Sequence, residues 1–397
     1  MPKPLSGIRV VDFSHVMAGP FATNFLSLLG AEVIKIEPRH GDLFRNYDGD
    51  PRYGGMSPAF IAVNAGKKSV VLDLKSPDDQ ETARKLLATA DVVVENFRPG
   101  VMRRFGLGYE TVRQLSPNLI YCSISGYGQQ GPMRDYPAID NVVQATGGMM
   151  GVSGEPDGPP VRVGVPAVDT YAGTLAAVAI LSALLQRERF GGGQYIDVSM
   201  LDASLVFLTA SAINYLVKGE VPLRTGNTGF SAQPTAGMFR CGDGELISLG
   251  VVQQNQYESL CQHLERPDLI SDPRFIDVRG RRTHAQALTV LLANIFMSRP
   301  AVEWEARLSM AGVPCGMVRD IVSTCDLPQL DGRNLKLPIH IPGLPEREDV
   351  HVLNAGFMFG HDGPGVTAPP PRLGEHTAEV LTSLGLGRAG TQDEDSQ

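Results

Sequence analysis

Apolar and polar positions repeat on two different periods along the first two hundred residues. Short β-rich apolar runs at 8–13, 32–36, 69–72, 92–95 and 119–123 read as strands. Between them, 18–29, 78–90 and 109–115 carry helical composition, and Gly30 is placed to end the first of these helices. Short buried strands alternating with helices predict a parallel sheet covered on both faces, an α/β fold. From 169 to 189 the chain is rich in alanine and leucine and apolar on most sides, which predicts a core helix packed through small residues. Glycines at 191–193 end it, a strand follows at 194–199, and one further apolar helix is expected over 200–217.

The pattern changes after Lys218. Residues 221–245 are rich in Gly, Pro, Thr and Asn and read as a linker into a second, smaller domain over 246–326. That domain carries a strand signal at 245–249 and helical runs at 256–264, 282–297 and 301–312. Pro/Gly-rich stretches return at 327–346 and 361–373, so 327–346 reads as a second linker ahead of a last helix at 377–384. The polar, acidic end 387–397 is expected to be frayed. A chain of 397 residues exceeds what one core of about 250–300 residues holds, which agrees with two domains.

A hydrophobic share of 43% and a charged share of 20% are those of an ordinary globular chain. The net charge of −8 argues against a nucleic-acid surface, while a local basic patch remains able to hold an anionic ligand. Cys122, Cys241, Cys261, Cys315 and Cys325 form no CxxC pair and have no histidine at ligand spacing, so free thiols in a reducing compartment are expected, and no metal site. The start, MPKPLSGIRVVDF, lacks a signal-peptide core, and no uninterrupted apolar run reaches about 18 residues. The expectation is a soluble cytoplasmic protein without a membrane span.

Gly126-Tyr-Gly128-Gln-Gln-Gly131 matches GxGxxG after a predicted strand, but Pro132 follows and MRDYP opens no helix. Without a helix N-terminus the pyrophosphate site of a nicotinamide dinucleotide does not form, so NAD is not expected. Basic residues gather at Lys35, Arg39, Lys67, Lys68, Lys75, Arg98, Arg103 and Arg104, several just after predicted strand ends, where open α/β sheets bind ligands. Each alone reads as a solvated surface charge. Together with Phe97, which can stack on a base, they also fit a nucleotide site. Asp169 opens the long helix and reads either as its N-cap or as a carboxylate nucleophile kept ionised by the helix dipole.

Across nearly the whole chain these blocks resemble the class III CoA-transferases, the CaiB/BaiF family. The resemblance is carried by AGPFATNFLSLLGAEVIKIEP at 18–38, NAGKKSVVLDLK at 64–75, ADVVVENFRPGVMRRFGLGYE at 90–110 and YCSISGYGQQGP at 121–132. It continues in VGVPAVDTYAG at 163–173, GGGQYIDVSMLDA at 191–203 and GVPCGMV at 312–318. It implies a Rossmann-like large domain over 1–220, completed by 347–397, a smaller α+β domain, and two subunits interlocked as a homodimer. CoA is then the carrier, with acyl-CoA and small carboxylic acids as substrates and no metal or NAD. Asp169 matches the catalytic aspartate, which would pass through an aspartyl–acyl anhydride and an aspartyl-CoA thioester. Asp140 matches an acidic position that orients it, although a helix cap explains Asp140 equally well. Val16, Ala18, Arg39, Leu72, Lys75, Asn96, Phe97 and Arg104 match positions contacting CoA.

Three departures from the formyl-CoA:oxalate members bear on specificity. This chain has Met17 in place of a glutamine, Ile139 in place of a tyrosine, and LGVVQQNQYESL at 249–260 in place of a glycine-rich loop. They suggest an acceptor other than oxalate and a larger or more apolar acyl group. Two other readings of the fold stay open. An α-methylacyl-CoA racemase would pair the aspartate with a histidine where this chain has Ile139, and none of the eight histidines lies near that position in sequence. A non-catalytic CoA-binding protein is the other.

Overall fold

A computed structural model describes residues 2–229, 231–346 and 349–386, so the expected fraying of 387–397 lies outside the described residues. The chain divides into two compact units. One comprises Met1–Met149, Arg162–Gly219 and Pro328–Gln397, the other Met150–Val161 and Glu220–Leu327.

The first unit is built on a six-stranded sheet: β1 (Arg9–Asp12), β2 (Glu32–Glu37), β3 (Lys68–Val71), β4 (Val92–Glu95), β5 (Ile120–Ser125) and β6 (Gln194–Ser199). All neighbours pair parallel, in the order β3-β2-β1-β4-β5-β6. β4 and β5 are buried at every residue, because a parallel sheet with helices on both faces leaves no wet side. One face carries a core of Val10, Leu26, Val92, Ile120 and Ile180, the other of Val11, Ile34, Val93, Leu86 and Tyr121. Strand order reverses between β1 and β4, so the loops leaving their C-terminal ends part in opposite directions. A crevice opens there, the usual ligand position of such sheets.

Two helices frame the crevice. α1 (Ala18–Leu28) follows β1, and α3 (Ala167–Phe190) crosses it closely; between them in sequence lies α2 (Asp140–Thr146). α3 has a mean hydropathy of 1.6 and is long and apolar enough to cross a membrane by length and composition. Its buried stripe, Ala172, Gly173, Ala176 and Ile180, packs with the sheet core. The small residues set the distance: a Cβ on Gly173 would lie 2.5 Å from the carbonyl oxygen of Ala18. Gly173→Val is therefore expected to wedge α3 away from α1 and lower stability by about 1–3 kcal/mol, read as a lower urea midpoint at unchanged m-value. It should also lower activity by displacing Asp169, one turn away.

The single helix expected over 200–217 is two, Met200–Phe207 and Thr209–Lys218, bent by 83°. Leu208 leaves the α region at φ −85°, ψ 15°, and the bend lets it pack on the sheet core. Composition stays helical through the break, which is why periodicity missed it.

The second unit has a three-stranded antiparallel sheet of Met238–Arg240, Leu246–Leu249 and Cys315–Met317. Its helices bury Tyr257, Leu260, Phe296, Trp304 and Leu308 around it. The first strand lies inside the glycine- and proline-rich stretch 221–245 and is too short for alternation to register. The helical run expected over 282–297 divides at His284 into Val278–Thr283 and Ala285–Phe296. Cys122, Cys241, Cys261 and Cys315 are free thiols.

Candidate active site

The loop between β1 and α1 is pinned from below by buried charges. Burial alone would raise the Asp12 carboxyl, but Lys67 at 3.1 Å, Lys35, and hydroxyls of Ser14 and Thr23 hold it at about 2. Lys35 donates to the Ser14 carbonyl at 2.7 Å and pairs with Asp42 at 2.8 Å. Asp42 in turn accepts the Val16 N–H at 3.1 Å. Val16 sits at φ 67°, the left-handed region that a β-branched residue rarely enters without being held there. Lys35 and Lys67, grouped by sequence with the basic residues of a nucleotide site, are fully buried and paired, so they shape the loop rather than face a ligand.

The β4 loop is tied to the same segment. Asn96 accepts the His15 N–H and donates to the His15 carbonyl, both at 2.8 Å. The Asn96 amide, expected at the nucleotide, is thus engaged with backbone. Phe97 meets the His15 ring edge-on, with centroids 5.2 Å apart.

Six of the ten expected site residues, Val16, Ala18, Asn96, Phe97, Asp140 and Asp169, line one cavity of about 380 Å³ at the crevice. Leu72 and Lys75 line a neighbouring slot of about 160 Å³, which shares His15 and Phe97 as its wall with the first. Arg39 and Arg104 line neither cavity. Both are exposed, just beyond β2 and in the short helix Val101–Arg104 after β4. The Gly126–Gly131 run passes from β5 into a loop, and the next helix is α2 at Asp140. Among the described residues no group of three His, Cys, Asp or Glu side chains could hold a metal ion.

Asp169 is not the N-cap of its helix. α3 begins two residues earlier, at Ala167, and its free N–H groups at Val168 and Asp169 donate to one Asp140 oxygen at 2.9 and 3.1 Å. The other Asp140 oxygen accepts the Gln144 amide at 2.6 Å. Asp140 therefore caps α3 from another helix and holds Asp169 toward the cavity. Burial first, and the Asp140 charge second, push the Asp169 carboxyl up to about 7. A carboxylate so raised is short of stabilising partners and correspondingly reactive once ionised.

Among the cavity-wall residues that carried no sequence signal as site residues are His15 and Arg134. Burial, then the charge of Lys35, holds the His15 imidazole below its ordinary value, so it is neutral at pH 7. Distance in sequence from Ile139 hid it: the fold, not the spacing, brings it to the Asp169 cavity.

The sequence profile of CoA-transferase family III matches residues 5–377. The chain belongs to this family. An acetyl-CoA:oxalate CoA-transferase of Acetobacter aceti is 39% identical, over 96% of this chain and 95% of its own. A succinate–glutarate CoA-transferase of Agrobacterium fabrum is 36% identical, over 96% of each chain. A crystal structure of a CaiB/BaiF family protein from Brucella suis superposes with a TM-score of 0.86 at 32% identity, covering 97% of this chain and all of the other. In this class III CoA-transferase, Met17 and Ile139, the positions that depart from the formyl-CoA:oxalate members, both line the cavity that holds Asp169.

Proposed function

We propose that the chain moves CoA from an acyl-CoA donor to a free carboxylic acid through covalent intermediates on Asp169. The observation that carries this reading is the raised Asp169 carboxyl in a cavity at the sheet's switch point, oriented by Asp140. The Asp169 carboxylate attacks the thioester carbon and the C–S bond breaks, giving a mixed anhydride and CoA thiolate. The thiolate attacks the Asp169 carbonyl and releases the donor acid, leaving an aspartyl-CoA thioester. The acceptor carboxylate then runs the same two steps in reverse, and Asp169 returns as carboxylate. The start of α1, which has no side-chain cap at Met17, also borders the cavity and offers its free N–H groups to the negative charge that develops on the carbonyl oxygen.

In this reading the slot behind Phe97 and His15, with Leu72 and Lys75, takes the nucleotide end of CoA, and exposed Arg39 and Arg104 meet its phosphates. The two helices after β6 expose Leu205, Phe207, Ile213, Leu216 and Val217, an apolar surface suited to a second copy of the chain. That supports the interlocked homodimer, with a small domain set between two linkers. A second reading, proton exchange at the α-carbon of a 2-methylacyl-CoA, draws its support from neutral His15 in the same cavity.

Incubation in D2O with acyl-CoAs and free acids, followed by mass spectrometry of the CoA pool, separates the two. A new acyl-CoA that requires both partners is expected. Deuterium at the α-carbon with no exchange of acids would replace transfer by racemisation.

A further inference from the structure

Two cations line the Asp169 cavity, Arg98 and Arg134. Their places in the chain separate their roles. Arg98 follows Asn96 and Phe97 after β4, beside the wall shared with the neighbouring slot. Arg134 belongs to the run after β5 that also supplies Tyr136, Ala138, Ile139 and Asp140 to the cavity, the side on which Asp169 is held. Gly126 lets this run fold back close to itself: a Cβ there would lie 2.1 Å from the Cβ of Ala138.

The Arg134 guanidinium has one ionic partner among the described residues. Its Nε lies 3.4 Å from Asp135, whose side chain is 77% exposed, and this Nε is shielded from water without making a hydrogen bond. The shielded Nε lies on the Asp135 side, while the side chain as a whole is 42% exposed and also borders an adjoining cavity with Glu95 and Glu110. Its terminal nitrogens make no hydrogen bond among the described residues and stay open to an incoming anion, and the fork of an arginine matches a carboxylate. The carboxylates of the cavity, Asp140 and Asp169, are already assigned, one to capping α3 and the other to the chemistry. Apolar Met17, Ala138 and Ile139 complete that side. They suit a methylene chain running from a reacting carboxyl to a second, charged one.

Resting on the CoA-transfer reading above, we infer that Arg134 binds the distal carboxylate of a short aliphatic dicarboxylic acid whose other carboxyl reacts at Asp169. Arg134 thereby selects dicarboxylic over monocarboxylic acids. The anion is recognised only after its first carboxyl enters the cavity. Removing Arg134 should therefore change discrimination between acids and leave the handling of acetyl-CoA as donor intact.

The test compares succinate, its monoamide succinamate and butyrate as acceptors from acetyl-CoA, in the wild type, Arg134→Met and Arg134→Lys. In the wild type, succinate should exceed succinamate in kcat/KM by about 10–100-fold, the range of a charged hydrogen bond. In Arg134→Met that ratio should collapse to near unity with butyrate unchanged, and Arg134→Lys should restore part of it. Equal losses for all three acids, a raised KM for acetyl-CoA, or no change of the ratio would each overturn the inference. The wild-type ratio needs no variant, so a misfolded Arg134→Met leaves it decisive: a wild type that uses succinamate or butyrate as well as succinate also refutes the role. A wild type that transfers CoA to no acid defeats the parent reading instead.

Discussion

Asp169→Asn is expected to abolish CoA exchange while making the folded chain more stable in alkaline solution. The carboxyl lies at about 7 in the fold, against about 3.9 in an unfolded chain. Because the folded value is the higher one, the unfolded chain gives up its proton first as pH rises. The resulting penalty on folding is absent below about pH 4, grows between the two values and is complete above about pH 7. With the side chain partly exposed, it amounts to about 2–4 kcal/mol. An amide of the same shape carries no such penalty. Urea midpoints of wild type and Asp169→Asn should thus converge near pH 4 and separate at pH 8, with the variant the more stable, while exchange falls by at least about 10⁴-fold. Equal midpoints at pH 8 would show that the carboxyl is not raised.

The same value fixes the acid limb of the activity. Only ionised Asp169 attacks a thioester, so kcat/KM should fall about tenfold per unit as pH drops below about 7. Asp140→Asn keeps an oxygen for the Val168 and Asp169 N–H groups but removes the neighbouring charge. The limb should then move to lower pH, and a limb that stays in place would leave burial as the whole cause. Nucleophile and capping carboxylate together trade stability for reactivity, which is common where function needs an ill-solvated charge.

The sheet was legible because each strand is a short apolar run fenced by helix signals, and the long helix because alanine and leucine sustain it for six turns. The family resemblance placed Asp140 beside Asp169, but local pattern could not show that Asp140 caps a helix that starts 27 residues later. Charge was the least legible feature. Lys35 and Lys67 look like Arg39 and Lys75 in sequence, yet the first two are buried against Asp42 and Asp12, and the second two are exposed. Which lysine is buried depends on a carboxylate contributed by a different strand or loop, and spacing along one segment carries no trace of that. His15 and Arg134 were overlooked for the same reason. Each lies in a loop whose composition is ordinary, and only closure of the fold brings them to one cavity.

Asp42→Ala should be among the most destabilising single changes in this unit. Asp42 is fully buried, and although burial would raise its carboxyl, Lys35 holds it below the usual range. Removing it strands the Lys35 ammonium without its 2.8 Å partner, and it takes the side-chain cap from Phe44 and the acceptor from Val16. Breaking a buried pair from one side costs about 3–5 kcal/mol, and a strained β-branched residue loses its anchor in addition. Asp42→Ala/Lys35→Met leaves no uncompensated charge and should recover part of that loss, measured by urea midpoint. A double variant no more stable than Asp42→Ala would show that the charge is not the cause. Val16→Gly separates backbone from side chain, since glycine adopts φ 67° freely: stability should stay within about 1 kcal/mol of wild type. If activity also survives in Val16→Gly but falls in Asp42→Ala, the left-handed turn itself is what carries Met17 and Ala18 to the cavity, and the buried pair exists to hold it there.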